Sequence, residues 1–361
     1  MPAIVNGQRM VVVRVNALSD SARIVREQPR RRALIKKRKK IGIMSRLRAD
    51  LGADDPLEST PDDALFPGFE TVSIDVGETT ISARRAGTGP PVLLLHGFPE
   101  THLMWHRVAP ALAEDFMVVC ADLRGYGRSG KPPSRPDHST YSKRSMALDM
   151  TRLMEALGVQ RFFVAGHDRG GRVAHRMALD HPDRVARLAV LDIIPTSDVF
   201  RLADARLALA FWPWSLLTQP APLPELLLGS APEAVVDDAL KNWGSRVEDF
   251  PDAVRTAYVN ALRDAATIHA ICEEYRASAS IDLQHDDEDE MAERRVACPV
   301  LALWSVNGPI DMWYRDAGGP LAIWARRAGD VRGHAIPGGH FFPEGNASDT
   351  TSELRRFFQE D

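Results

Sequence analysis

At 361 residues and 44% hydrophobic content, the chain can bury a full α/β core and still carry an inserted subdomain. It holds no run of about 18 apolar residues, which excludes a membrane-spanning helix. Its three cysteines, Cys120, Cys272 and Cys298, form no CxxC and meet no histidine at metal spacing, which points to reduced thiols in a cytoplasmic protein without a metal site.

The formal charge of −4 conceals +12 over residues 1–48, centred on Arg30-Arg31-Arg32 and Lys36-Lys37-Arg38-Lys39-Lys40, against −16 over the rest. Such a run can serve nucleic acid, an anionic membrane or a targeting machinery. No apolar segment follows it as in a secretory signal, and the lysines fit a mitochondrial presequence poorly. The plainer expectation for residues 1–64 is a solvated, disordered extension, or upstream reading frame with the working start at Met44. No nucleic-acid or membrane partner is assigned to it.

The core is expected from about Leu65. Glu70–Val76 and Thr80–Arg84 alternate around Gly77-Glu78, which predicts an antiparallel hairpin. Pro91–Leu95 is continuously apolar, as for a strand covered on both faces, and leads into His96-Gly97-Phe98-Pro99. An amphipathic helix is predicted around Trp105–Ala113, a strand over Met117–Ala121, a glycine-punctuated loop over Asp122–Ser129, and a helix over Lys143–Leu157.

Phe162–Ala165 is a buried strand that meets Gly166-His167-Asp168-Arg169-Gly170 and passes into a helix. This is the G-x-Nuc-x-G nucleophile elbow with aspartate as the nucleophile. Glycines two residues either side of Asp168 let the strained backbone fold past itself. The alternative is a turn in which Asp168 only caps the helix. Val185–Leu191 gives another strand, ending at Asp192.

From 196 to about 294 the pattern turns helical, an inserted cap between core segments 65–195 and 295–361. Its acidic run Asp286–Glu290 is most simply a solvated face. Pro299–Trp304 resumes the sheet, a helix lies near Leu321–Arg327, a strand near Val331–Ile336, and His340 sits in a glycine-rich loop before a terminal helix. Strands alternating with helices imply a mostly parallel, doubly wound sheet with its site at the strands' carboxyl ends.

Asp168 is thus the candidate nucleophile and His340 the candidate base. The orienting acid is Asp192 or Asp311. Asp192 is favoured, because a carboxylate entering at a strand's carboxyl end points into the site. The amides of Phe98 and Arg169 are the candidate oxyanion hole. An aspartate nucleophile suits attack on saturated carbon bearing a halide, or on an epoxide, giving an ester whose carbonyl carbon is then attacked by His340-activated water. Arg169 and Arg172 share the face of a helix N-terminus, where two cations are unfavourable unless an anion joins them. A substrate carboxylate beside the electrophilic carbon would satisfy both; the alternative is that each pairs with a protein carboxylate.

The motifs HGFP, ADLRGYG, GHDRGGR, HRMALDHP, AVLDIIPT, QPAPLPE, YRA and GGHFF resemble those of the haloacetate (fluoroacetate) dehalogenases of the α/β-hydrolase superfamily. The resemblance implies an α/β-hydrolase fold, Asp168 as nucleophile, Asp192 as acid, His340 as base, and Arg169 with Arg172 gripping the substrate carboxylate. It also implies a halide pocket from Trp214 and Tyr275, no cofactor, and a homodimer. In Phe211-Trp212-Pro213-Trp214 the family usually places histidine where this chain has Pro213, so chloride or bromide is the safer expectation than fluoride. An epoxide hydrolase on the same residues is the runner-up, with Tyr275 and Tyr258 as its acids. A non-catalytic ligand sensor on the same scaffold is a third reading, opposed by the intact Asp168, Asp192 and His340.

Overall fold

The structure, a computed structural model, describes residues 61–360. The extension expected over 1–64 therefore lies outside the described residues, apart from 61–64.

The described chain builds one eight-stranded sheet. Its strands are β1 (Glu70–Asp75), β2 (Thr80–Ala86), β3 (Pro91–Leu95) and β4 (Met117–Ala121). Helix α1 (Lys143–Ala156) leads to β5 (Phe162–His167), and α2 (Asp168–Asp180) leads to β6 (Val185–Leu191). The order is β1-β2-β4-β3-β5-β6-β7-β8, with β7 at Val300–Ser305 and β8 at Val331–Ile336. Only the β1–β2 and β2–β4 pairs are antiparallel. This is the mostly parallel sheet that the strand–helix alternation predicts.

The apolar runs explain the central strands. Leu93, Leu94, Leu95, Val118, Val119, Val164 and Ala165 are fully buried, and each large aliphatic side chain so removed from water contributes about 2 kcal/mol. The edge strand β8 instead alternates exposed with half-buried positions. Because β3 has β4 on one side and β5 on the other, the chain reverses direction across the sheet there. That opens a crevice at the carboxyl ends of β3 and β5. Phe98, Asp168, Asp192 and His340 all follow strand ends at this rim.

Between β6 and β7 the chain is helical from Thr196 to Met291, ending in α3 (Ala265–Ser278) and α4 (Ile281–Met291). The Asp264 side chain caps α3 by accepting from the Ala266 amide. The last turns of α3, Ala270–Ser278, are buried, and they bring Glu274, Tyr275 and Ser278 against the core.

Two local expectations need correction. The helix expected over Trp105–Ala113 is split into a 3-10 segment, His102–Arg107, and a short α-helix, Ala109–Leu112. Pro110 has no N–H to continue the first piece, but it suits the first turn of the second. The acidic run is not simply a solvated face. Asp286 and Asp289, three residues apart on α4, are buried and meet Arg176 at 2.8 and 2.5 Å, while Asp287 faces Arg201 nearer the surface.

Candidate active site

β5 ends at His167, and Asp168 opens α2 with φ at +42°, in the left-handed region. The glycines around it are sterically required. A Cβ on Gly166 would stand 2.4 Å from the Gly170 carbonyl oxygen, and one on Gly170 would stand 2.5 Å from those of Leu95 and His96. A Cβ on Gly97 would fall 2.7 Å from that of Asp168. The elbow therefore packs backbone directly on β3, which brings the Phe98 amide 3.2 Å from Asp168 Oδ2. The Arg169 amide belongs to the first turn of α2, whose N–H groups have no helical acceptor.

His340 Nδ1 meets Asp192 Oδ2 at 2.6 Å. The other oxygen of Asp192 accepts from the Ser305 amide at 2.8 Å and the Ser305 hydroxyl at 3.1 Å. Both carboxylate oxygens are thus occupied, which fixes the rotamer. Asp311 lies elsewhere, accepting from Trp304 Nε1 and the Asn307 amide, both at 3.1 Å.

The His340 backbone is pinned as well. Its amide donates to the Trp243 carbonyl at 2.7 Å, and its carbonyl accepts from His167 Nε2 at 2.8 Å. The other ring nitrogen of His167 meets Glu100 Oε2 at 2.9 Å, so both nitrogens face acceptors and the ring is an imidazolium. Burial alone would lower its pKa; the Glu100 charge outweighs burial and raises it to about 9. Sequence reasoning missed Glu100 and His167, although each neighbours a motif, HGFP or the elbow aspartate.

Burial would raise the Asp168 pKa, but the charges of His340, Arg169 and Arg172 hold it below its ordinary value, so it is a carboxylate. The two arginines differ. Arg169 is fully buried; its Nε donates to Glu274 Oε1 at 2.6 Å and its Nη2 to Ser278 Oγ. The alternative of a protein carboxylate thus holds for Arg169, although its Nη1 has no partner among the described residues. Arg172 donates from Nη1 to the Ile194 carbonyl at 3.0 Å and to Thr196 Oγ1 at 3.2 Å, while its buried Nε has no partner among the described residues. Burial, then the Arg169 charge, lower its pKa to about 10, which leaves it charged near neutral pH.

Aromatic faces cover both guanidinium groups. Arg169 lies 4.0 Å from the Tyr275 ring centre, and Arg172 lies 4.6 Å from that of Trp214. Burial raises the Tyr275 pKa well above its ordinary value, so its hydroxyl keeps its proton.

One cavity of 30 Å³ is lined by Asp168, Arg172, Asp192, Trp214, Tyr275 and His340, together with Pro213. That is room for a few non-hydrogen atoms, since one water needs about 10–15 Å³ on the same measure. The rest of its wall is mainly apolar, with Val199, Leu207, Ile310 and Trp313, and it also contains Tyr314, which sequence reasoning did not single out. Tyr258 is not in that wall. It is buried, with its hydroxyl on Glu344 Oε1 at 3.3 Å. The site therefore assembles an ionised carboxylate, an oriented histidine, a cation and two aromatic donors around a small space.

Residues 90–341 match the model of the alpha/beta hydrolase fold family. The chain is 46% identical over 297 residues to a fluoroacetate dehalogenase from Burkholderia sp, covering 82% of this chain and 96% of that one. It is 47% identical over 110 residues to a soluble epoxide hydrolase from Corynebacterium sp. (strain C12), covering 30% of this chain and 37% of that one. Among solved structures, a chain from Nostoc sp PCC 7120 provisionally classed as an alpha/beta hydrolase is 46% identical. It superposes with a TM-score of 0.78, covering 82% of this chain and 100% of that one.

Proposed function

The chain belongs to the haloacetate (fluoroacetate) dehalogenase family of the α/β hydrolases, and on that premise we propose that it hydrolyses a short 2-haloacid, haloacetate being the smallest, to the 2-hydroxy acid and halide. The observation that carries this reading is Arg172. It is a buried cation beside the Asp168 carboxylate, in a cavity of a few atoms' volume, with Nε unpartnered among the described residues. A carboxylate there relieves the two-cation strain at the N-terminus of α2 and sets the neighbouring carbon against Asp168.

Asp168 attacks that carbon from its ionised oxygen, the carbon–halogen bond breaks, and the halide leaves toward Trp214 Nε1 and the Tyr275 hydroxyl. The product of this step is an ester of Asp168. His340 takes a proton from water as the water adds to the ester carbonyl. The Phe98 and Arg169 amides stabilise the oxyanion, and Asp192 holds the imidazolium. Collapse releases the hydroxy acid, whose alkoxide takes the proton back from His340, and leaves Asp168 as the carboxylic acid, which loses its proton to solvent to regenerate the carboxylate. The helical segment 196–294 acts as the cap that supplies Trp214 and Tyr275 and excludes water. A cytoplasmic location, consistent with three buried free thiols, and a homodimer belong to the same reading.

Epoxide hydrolysis is the second reading. Tyr275 and Tyr314 both line the cavity and could protonate an opening ring, in place of the expected Tyr258. One panel of fluoro-, chloro- and bromoacetate with styrene oxide tests both. Halide release without diol is expected; diol formation without halide release would overturn the dehalogenase assignment. Turnover of neither would leave a ligand sensor.

A further inference from the structure

Behind Arg169 lies a closed cluster of charges that touches neither the cavity nor bulk water. Glu274 Oε1 accepts from Arg169 Nε at 2.6 Å and from Lys143 Nζ at 2.5 Å, so two cations share one oxygen. Its other oxygen accepts from the Tyr126 hydroxyl at 2.5 Å. The Ser278 hydroxyl accepts from both cations and donates to the Glu274 carbonyl. Asp282 completes the set, with Oδ2 3.6 Å from Lys143 Nζ and Oδ1 accepting from the Lys143 amide. All four charged side chains are at most 4% exposed.

The cluster holds two cations and two anions, so it sums to zero. Without Lys143, the remaining Arg169, Glu274 and Asp282 would carry one net negative charge and oppose an anionic substrate nearby. Lys143 removes that excess, while Glu274 still fixes the Arg169 guanidinium through Nε and Nη1 has no partner among the described residues. These side chains are buried away from bulk solvent, so charge is screened weakly and a missing countercharge acts over several ångströms.

We propose that Lys143, on the first turn of α1, is a charge-balancing positioning residue that keeps Arg169 electrically available to a carboxylate ligand and thereby sets the site's affinity for anions. This rests on the reading that a substrate carboxylate binds at Arg172, with Arg169 acting on it through its charge from behind. It adds that the affinity is controlled by a residue that contacts no substrate.

The test uses the full-length chain and two probes. The dissociation constant of acetate, an unreactive carboxylate, is followed by tryptophan fluorescence. Chloride release is followed from chloroacetate and from neutral chloroacetamide. Lys143→Met should weaken acetate and raise the chloroacetate KM by about tenfold, with kcat falling far less than kcat/KM. Lys143→Arg should restore affinity. Glu274→Gln should move it the opposite way from Lys143→Met, and the double variant, again neutral overall, should return toward the wild-type value.

Equal losses on chloroacetate and chloroacetamide with unchanged acetate binding would overturn the inference, as would weaker acetate binding by Glu274→Gln. If Lys143→Met does not fold, the sign of the Glu274→Gln change alone decides. Acetate binding is read whether or not the wild type dehalogenates, so failure of the proposed reaction is visible separately.

Discussion

His340 Nδ1 stands 2.6 Å from Asp192 Oδ2, although the two lie 148 positions apart in a sequence that holds the whole helical segment between them. The pairing is secured from the far side by Ser305, on the neighbouring strand β7, which donates twice to the other oxygen of Asp192. In the proposed mechanism this bond fixes the tautomer of His340 that can accept a proton from water. Asp192→Asn should therefore lower kcat for chloroacetate roughly a thousandfold or more. Asp311→Asn, which alters contacts with Trp304, Asn307 and Arg315 away from His340, should change it by less than about threefold. Steady-state rates of the two variants check this; the reverse ranking would move the acid to Asp311.

His340 is used only after the ester has formed. His340→Ala should accordingly stop turnover with Asp168 alkylated. Intact mass after chloroacetate should rise by about 58 Da, a carboxymethyl group in place of a proton. An unmodified variant beside an active wild type would contradict the two-step scheme.

Arg172 presents a planar fork that lysine lacks. Arg172→Lys should reduce kcat/KM for haloacetates by about ten- to a hundredfold, through the loss of a charge-assisted bond. Neutral chloroacetamide, if turned over, should lose far less. Comparable losses on both substrates would mean that Arg172 serves the fold, through its bonds to Ile194 and Thr196.

Pro213 is buried in the cavity wall beside Trp214 and cannot donate to a departing halide. Wild type should prefer chloro- or bromoacetate to fluoroacetate. Pro213→His should raise the ratio of fluoroacetate to chloroacetate kcat/KM, since fluoride most needs the added donor. A wild type that defluorinates as readily as it dechlorinates would show that Pro213 does not limit fluoride chemistry.

His167 ties stability to pH. Its pKa rises from the ordinary 6.5 to about 9 on folding, because Glu100 outweighs burial. The raised value means that its contribution, about 3 kcal/mol, is complete below pH 6.5 and is lost as pH climbs through 9. Denaturant midpoints at pH 6.5 and 10 should differ in wild type, and Glu100→Gln should shrink that difference. An unchanged difference would assign the alkaline loss to other groups.

The parts of this protein that its sequence determined by itself are those governed by near neighbours. The Gly166–Gly170 elbow is a steric statement about five residues, and the apolar runs of β3, β5 and β6 mark strands covered on both faces. The hairpin of β1 and β2 and the last strand before His340 were legible for the same reason. Pro110, by contrast, broke a periodicity that looked continuous.

What the sequence left open depended on partners far along the chain. Asp192 and Asp311 both follow strands, and only the placement of β7 beside β6 brings the Ser305 donors and His340 to the first of them. Arg169 and Arg172 look equivalent on one helical face. Packing of α3 against the elbow gives Glu274 to Arg169 alone, 105 residues away in sequence, with Lys143 on the same oxygen. Asp286 and Asp289 read as solvated until α4 meets Arg176. A charge buried in a weakly screening interior is controlled by whichever countercharge the fold places beside it, and local spacing does not carry that information.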